Sequence, residues 1–264
     1  LECCEGDGLA LLNALVSAAG RGSASEKQLL TNYCKLIDAF GVATVVLERA
    51  LRGEVEATTA ASTLFRSNTA TTKLVGTYTK TVGATYLRTT LAPIINDLIA
   101  DNTSLEVDAT KMGDGADDAT IASNQAALVK WADRALNDIV SDVTRCPIAF
   151  RRVAACLQKY VVAKFDSAKY SSVGGLVFLR FFCPALFAPA STGEVLAAEA
   201  TAVRSCKPAA RTCVLVSKML QNLANNMPFK EQYMKGWADD WVGANTEKFQ
   251  NFVDLLVDVP ESDD

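Results

Sequence analysis

Along most of the chain an apolar residue returns every three or four positions, the spacing that gathers side chains on one face of a helix. Leu29, Leu30, Tyr33, Leu36, Ile37 and Phe40 show it plainly. No stretch sustains the strict alternation of a half-buried strand. The pattern predicts an all-α protein with helices near 6–19, 25–50, 56–66, 69–100, 121–144, 147–166, 170–182, 207–226, 229–242 and 244–257. Two stretches lack the period. Residues 101–120 set Asp101, Glu106, Asp108, Asp114, Asp117 and Asp118 against Lys111 alone, with Gly113 and Gly115 between them. They read as a solvated acidic loop. The D-x-D-x-D-G order of a calcium loop is absent there. Residues 191–206, opening on Ser191-Thr192-Gly193, read as a connector.

A chain of 264 residues, half of them apolar, can bury a core without disulfides or metals. A net charge of −4 argues against a nucleic-acid binder, which normally carries a basic face. There is no histidine at all. That excludes Ser-His-Asp and Cys-His catalysis, the HExxH metalloproteases and the His-containing zinc fingers. Chemistry here must come from Arg, Lys, carboxylates, hydroxyls or thiols. The eight cysteines, Cys3, Cys4, Cys34, Cys146, Cys156, Cys183, Cys206 and Cys213, form no CxxC pair. Several lie in apolar helical surroundings, which predicts reduced thiols in a cytosolic chain. No signal peptide or spanning helix is expected, because Arg180, Pro184 and Pro189 interrupt the apolar run from Val173 to Ala190. The chain does not begin with Met, so a fragment of a larger protein is expected.

Three stretches carry candidate chemistry. In Thr63-Leu64-Phe65-Arg66-Ser67-Asn68-Thr69 a helical run ends in a bulky pair, then an arginine, then residues that favour turns and N-caps. Read alone, Arg66 is either a solvated surface residue or a cation on a loop held by Leu64 and Phe65. The second stretch, Ser172 to Ala185, is apolar on every side, the mark of a buried helix, with Arg180 at its centre. A guanidinium there needs acceptors: a buried ion pair, or the backbone of another loop that it holds in shape. Gly174-Gly175 would let a neighbour approach closely. In the third stretch Gln221 and Asn225 fall four apart, so both amides lie on one helical face, ahead of Lys230-Glu231-Gln232-Tyr233-Met234. They fit exposed polar residues or a polar binding surface.

Taken together and in this order, the three stretches resemble the Ras GTPase-activating domain family. Thr63 to Thr69 looks like its finger loop, and Phe178-Leu179-Arg180 with Pro184-Ala185 like its FLR…PA signature. Gln221-Asn222-Leu223-Ala224-Asn225 and the Lys-Glu-x-Tyr-Met string follow in the family's order, while Lys73 and Gly83-Ala84-Thr85-Tyr86-Leu87 resemble its neurofibromin-like branch. The resemblance covers roughly residues 8–257. Two features depart from it. Ala70-Thr71 stands where the family usually has Leu-Ala, which would loosen the loop's packing, and the segment from Asn225 to Lys230 is shorter than in several members.

The resemblance implies an elongated multi-helix fold and a single catalytic domain over 1–264. It implies Arg66 as an arginine finger and Arg180 as the brace of the finger loop. Thr63, Leu64, Phe65, Leu179, Gln221, Asn225 and Lys230 would contact the GTPase. The implied partner is a GTP-loaded Ras-family small GTPase, which itself holds GTP and Mg²⁺. The chain has no GxxxxGK[ST] loop, so no nucleotide site, cofactor or metal of its own is expected. The implied domain is a cytoplasmic monomer without membrane insertion, recruited to membranes by regions outside this chain if at all. A non-catalytic scaffold that binds a GTPase through the same fold is the alternative.

Overall fold

Gly41 closes the first helix. Its positive φ of 69° suits a residue without a Cβ, and the bonds Val42 N to Ile37 O and Gly41 N to Asp38 O complete a Schellman cap. The single helix expected over 25–50 is therefore two, α1 (Ala24–Ala39) and α2 (Ala43–Ala57). The computed structural model describes residues 24–64, 69–113 and 117–260. The helix expected at 6–19 lies outside them. The expected helix at 69–100 is likewise split at Gly83 into α3 (Ala70–Val82) and α4 (Ala84–Asp101). No strand occurs among the described residues.

The remaining helices are α5 (Ala109–Met112), α6 (Asp118–Val140), α7 (Ile148–Lys164), α8 (Lys169–Gly174), α9 (Cys183–Phe187), α10 (Ala197–Ser205), α11 (Lys207–Asn225) and α12 (Trp237–Val257). Residues 229–236, expected to be helical, turn instead before α12 begins. The connector expected at 191–206 contains α10. Its one apolar stripe, with Ala200 and Val203 buried, is too short for periodicity to reveal.

The chain forms two compact units. The first holds residues up to Ala84, Cys146–Leu176 and Leu256 onward; the second holds Thr85–Arg145 and Val177–Leu255. In the first, Leu30, Cys34 and Ile37 of α1, Leu47 and Leu51 of α2, Leu74 and Val75 of α3 and Phe150 and Leu157 of α7 make the core. Polar groups fix the helices around it. Lys73 Nζ lies 2.6 Å from Glu26 Oε1, the Tyr78 hydroxyl donates to Asp38 at 2.8 Å, and Lys164 donates to the Val55 and Glu56 carbonyls that end α2.

In the second unit an aromatic cluster sits at the centre. Tyr86 meets Phe182 edge-on at 5.2 Å, Phe181 meets Phe182 at 4.9 Å, and Phe178 meets Phe249 at 5.5 Å. Tyr86 is 2% exposed, and its hydroxyl is satisfied by the Ile139 carbonyl at 2.9 Å. Phe178, Phe181 and Phe182 come from Gly175–Phe182, which is wound as a π-helix, a form that is rare and often found at functional sites, and Phe249 comes from α12. A Cβ added to Gly175 would meet nothing within 4 Å, so close approach does not explain that glycine. The helical run Asp166–Phe187 is long and apolar enough to cross a membrane by length and composition, contrary to expectation. Of its apolar 18-residue window, 61% is buried inside the protein, as in core helices.

Residues 101–113 are mostly exposed, as a solvated loop would be, but they are pinned at their middle. Leu105 and Val107 are buried, and the carboxylate between them forms a latch. Glu106 accepts from Nε and Nη2 of Arg211 at 2.7 Å each and from the backbone N–H of Val107 and Asp108 at 3.0 Å. Its own carbonyl accepts from Asn124 at 2.7 Å. Burial alone would raise the Glu106 carboxyl, but the Arg211 bonds and the two N–H groups outweigh it and hold it below the ordinary range. A carboxyl lowered in the folded state contributes stability above its unfolded pKa and loses it as pH falls through the folded value. Glu106→Gln should thus cost about 1–3 kcal/mol at neutral pH. Between about pH 6 and about pH 3 it should lose less further stability than the wild type does. Urea unfolding followed by circular dichroism at each pH checks both.

Candidate functional site

The segment that carries Arg66 is held at both ends. On the incoming side Thr58 ends α2, and Ala61–Thr63 makes a single 3₁₀ turn where a helix over 56–66 was expected. The Thr63 hydroxyl donates to the Ala60 carbonyl at 2.8 Å, and Leu64 is 7% exposed. Thr63 itself is exposed. On the outgoing side Thr69 is the N-cap of α3, its hydroxyl accepting from Thr72 N at 3.1 Å. Phe65 and Arg66 lie outside the described residues.

The Ala70-Thr71 departure brings a contact of its own. Thr71 is buried, and its hydroxyl reaches the Ala50 carbonyl of α2 at 3.5 Å. Two residues on, Lys73 pairs with Glu26, which is 2% exposed. The first turn of α3 is thereby fixed to both α1 and α2.

The other expected residues belong to the second unit. Leu179 and Arg180 are half-buried, whereas Leu176, Val177, Phe178, Phe181 and Phe182 around them are buried. Arg180 was expected in the middle of a fully buried helix; the π-helix instead leaves it and Leu179 partly open to solvent. Gln221 and Asn225 are half-buried on α11, and Lys230 is exposed in the turn segment that follows.

Composition gave no sign of how that segment is folded back. Asn226, at φ 47°, closes α11 with Met227 N bonded to Asn222 O and Asn226 N to Leu223 O, a second Schellman cap. Asp239 then accepts from Phe229 N and Gly236 N at 2.8 and 3.0 Å, tying both ends of the turn segment to α12. The fold-back brings Glu231 against Lys218, with the Tyr233 hydroxyl 3.3 Å from the same ammonium. Lys218, Gln221 and Asn225 are spaced by three and four, so they share one face of α11. The pairing of Lys218 with Glu231 was missed in the sequence. The two are thirteen apart along it, and only the turn at Asn226 makes them neighbours.

Electrostatics bind this face together. Burial would lower Lys218, but its bonds to Glu231 and Tyr233 prevail and raise it. The Lys218 bond holds Glu231 below the usual carboxylate range. Both stay charged across the physiological range. Among the described residues no group of three or more His, Cys, Asp or Glu could hold a metal ion. The described residues thus hold two anchored loop ends in one unit and, in the other, a polar, partly cationic helix face.

A family model describing a GTPase-activator protein for Ras-like GTPase matches residues 46–118 and 111–225. The chain belongs to that family. Curated relatives agree: it is 30% identical to the Ras GTPase-activating-like protein ngap of Dictyostelium discoideum over 93% of this chain. It is 28% identical to RasGAP-activating-like protein 1 of Mus musculus over 97%, and 29% identical to neurofibromin-A of D. discoideum over 75%. The chain spans a third or less of those relatives, 28%, 33% and 22% of their lengths.

The cap at Thr69 makes a direct test of the outgoing anchor. Thr69→Ala should lower stability by about 0.5–2 kcal/mol, the usual cost of removing a side-chain cap. Thr69→Ser should restore most of it, since a serine hydroxyl caps equally well. Chemical denaturation of the three proteins measures the difference.

Proposed function

We propose that this chain is a single catalytic domain, with its core at about 8–257, that stimulates GTP hydrolysis by a Ras-family GTPase through insertion of Arg66. The supporting observation is the segment Thr63–Thr69, which bears the family's arginine between two ends anchored in the first unit. GTP and Mg²⁺ are the partner's. The domain brings a cation and a surface, and acts as an activator with no nucleotide site of its own. Arg180 occupies the family's loop-bracing position. Leu179, Gln221, Asn225 and Lys230, with Lys218 on the same α11 face, meet the GTP-loaded partner. The domain works in the cytoplasm as a monomer, and any recruitment to membranes falls to regions outside this chain.

The chemistry follows from where charge develops. In GTP hydrolysis negative charge spreads over the transferring phosphoryl oxygens while water attacks in line. A cation placed at the β–γ bridge stabilises that state more than the bound substrate, which is what accelerates a reaction. Arginine suits the task because it stays charged when desolvated and offers donors in a rigid fork. For Ras with its activators this arginine is established to contribute about 10³–10⁵-fold, or roughly 4–7 kcal/mol.

Equilibrium binding to three nucleotide states of a Ras-family GTPase tests the reading. Binding should be weak with GDP, intermediate with a ground-state GTP analogue, and tightest with GDP plus aluminium fluoride, a planar phosphoryl mimic. Arg66→Ala should abolish the gain from the mimic, keep affinity for the GTP analogue within about tenfold, and remove most of the acceleration. Arg66→Lys should recover little, because an ammonium lacks the fork. A scaffold would show no preference for the mimic, with or without Arg66. A flat response from the wild type across Ras relatives sinks the proposal.

A further inference from the structure

The latch at Glu106 docks a short strap, Leu105–Met112, onto α11, and the strap carries Lys111 near its end. Lys111 Nζ lies 5.9 Å from the centre of the Tyr233 ring. Lys218 Nζ lies 5.8 Å from the same point and the Arg211 guanidinium 6.0 Å. Three cations thus converge on one aromatic ring in a chain whose net charge is −4. Each gains from the ring's π face, but they also repel one another.

Their counter-charges are unevenly committed. Glu106 is spent on Arg211 and two backbone N–H groups. Glu231 is spent on Lys218. Asp108 uses Oδ1 to cap α5 through Thr110 N and the Thr110 hydroxyl, leaving Oδ2 at 3.5 Å from Lys111. The Lys111 side chain is 51% exposed, against 23% for Arg211 and 30% for Lys218. Lys111 is thus the least neutralised and the most accessible of the three. Through Tyr233 it adjoins the Lys218, Gln221 and Asn225 face.

We infer that the strap is part of the partner-binding surface, and that Lys111, beside Lys218, receives an acidic side chain of the GTPase. The inference rests on the activator reading. A carboxylate entering here relieves the mutual repulsion of the three cations and completes the neutralisation of Lys111. Such a contact at the edge of an interface acts mainly on encounter and its salt dependence. Glu106 and Arg211 are positioning residues in this scheme: they hold the strap that presents Lys111, and neither touches the partner.

The test compares wild type, Lys111→Gln, Lys111→Glu and Lys130→Gln. Lys130 is an exposed lysine of α6 that controls for net charge. Multiple-turnover hydrolysis by a GTP-loaded Ras-family GTPase is followed at several salt concentrations, alongside affinity for the GTP-analogue state. Lys111→Gln should raise KM about two- to fivefold, the effect of one partly screened ion pair. It should also flatten the salt dependence of kcat/KM while changing kcat little. Charge reversal in Lys111→Glu should have a larger effect in the same direction. Wild-type KM and salt dependence in both Lys111 variants overturn the inference and leave the activator reading standing, as does an equal change in Lys130→Gln. If the wild type neither binds nor accelerates any Ras relative, the activator reading falls and this inference with it.

Discussion

A fold built from helices alone has no sheet ladder to set one element beside the next, so its geometry depends on how helix ends are closed and what helix sides bury. The ends leave unpaired N–H and C=O groups that must find partners. Here those partners also determine direction. Gly41 and Asn226 each terminate a helix with a left-handed residue and turn the chain sharply. Thr69 starts α3 immediately after the arginine-bearing segment. Lys164 finishes α2 from another helix of the same unit. Asp239 closes a whole turn segment with its two oxygens. Remove these closures and the buried faces would still attract, but the polar residues they carry would point elsewhere.

The sequence made much of this legible, and its failures share a cause. Periodicity locates α11 to within a residue because one face is consistently apolar over 19 residues. It merged α1 with α2 and α3 with α4, because the apolar rhythm resumes after a glycine with almost no change of phase. The π-helix was invisible for the opposite reason. Gly175–Phe182 is apolar on every side, so the pattern holds no phase from which a wider turn could be read. That is also why Arg180 was expected to be more deeply enclosed than it is.

The candidate surface was legible by residue type and order, and illegible in its pairings. Gln221 and Asn225 share a face by spacing alone. Lys218 with Glu231, and Glu106 with Arg211, meet across 13 and 105 residues, distances over which local pattern carries no information. The acidic appearance of 101–120 concealed the fact that one carboxylate, that of Glu106, is half-buried and spoken for. Charge state is simpler. With no histidine in the chain, and burial pushing the thiols of Cys34, Cys146, Cys156 and Cys213 up to about 12, the surface described here is set by carboxylates, lysines and arginines. It keeps one electrostatic character through the physiological range.

The strap between α4 and α6 also bears on how members of such a family can differ in length. Two matched stretches of the chain overlap across residues 111–118. Upstream, Glu106 is tied to Arg211 and Asn124; downstream, Asp117 caps α6 through Thr120. Each side is secured by its own bonds, so the helices beyond do not depend on how many residues join them. Insertions and deletions can accumulate at such a joint without disturbing the flanking helices. Chain length between Gly113 and Asp117 can therefore change while Lys111, Asp117 and the helices beyond them stay in place.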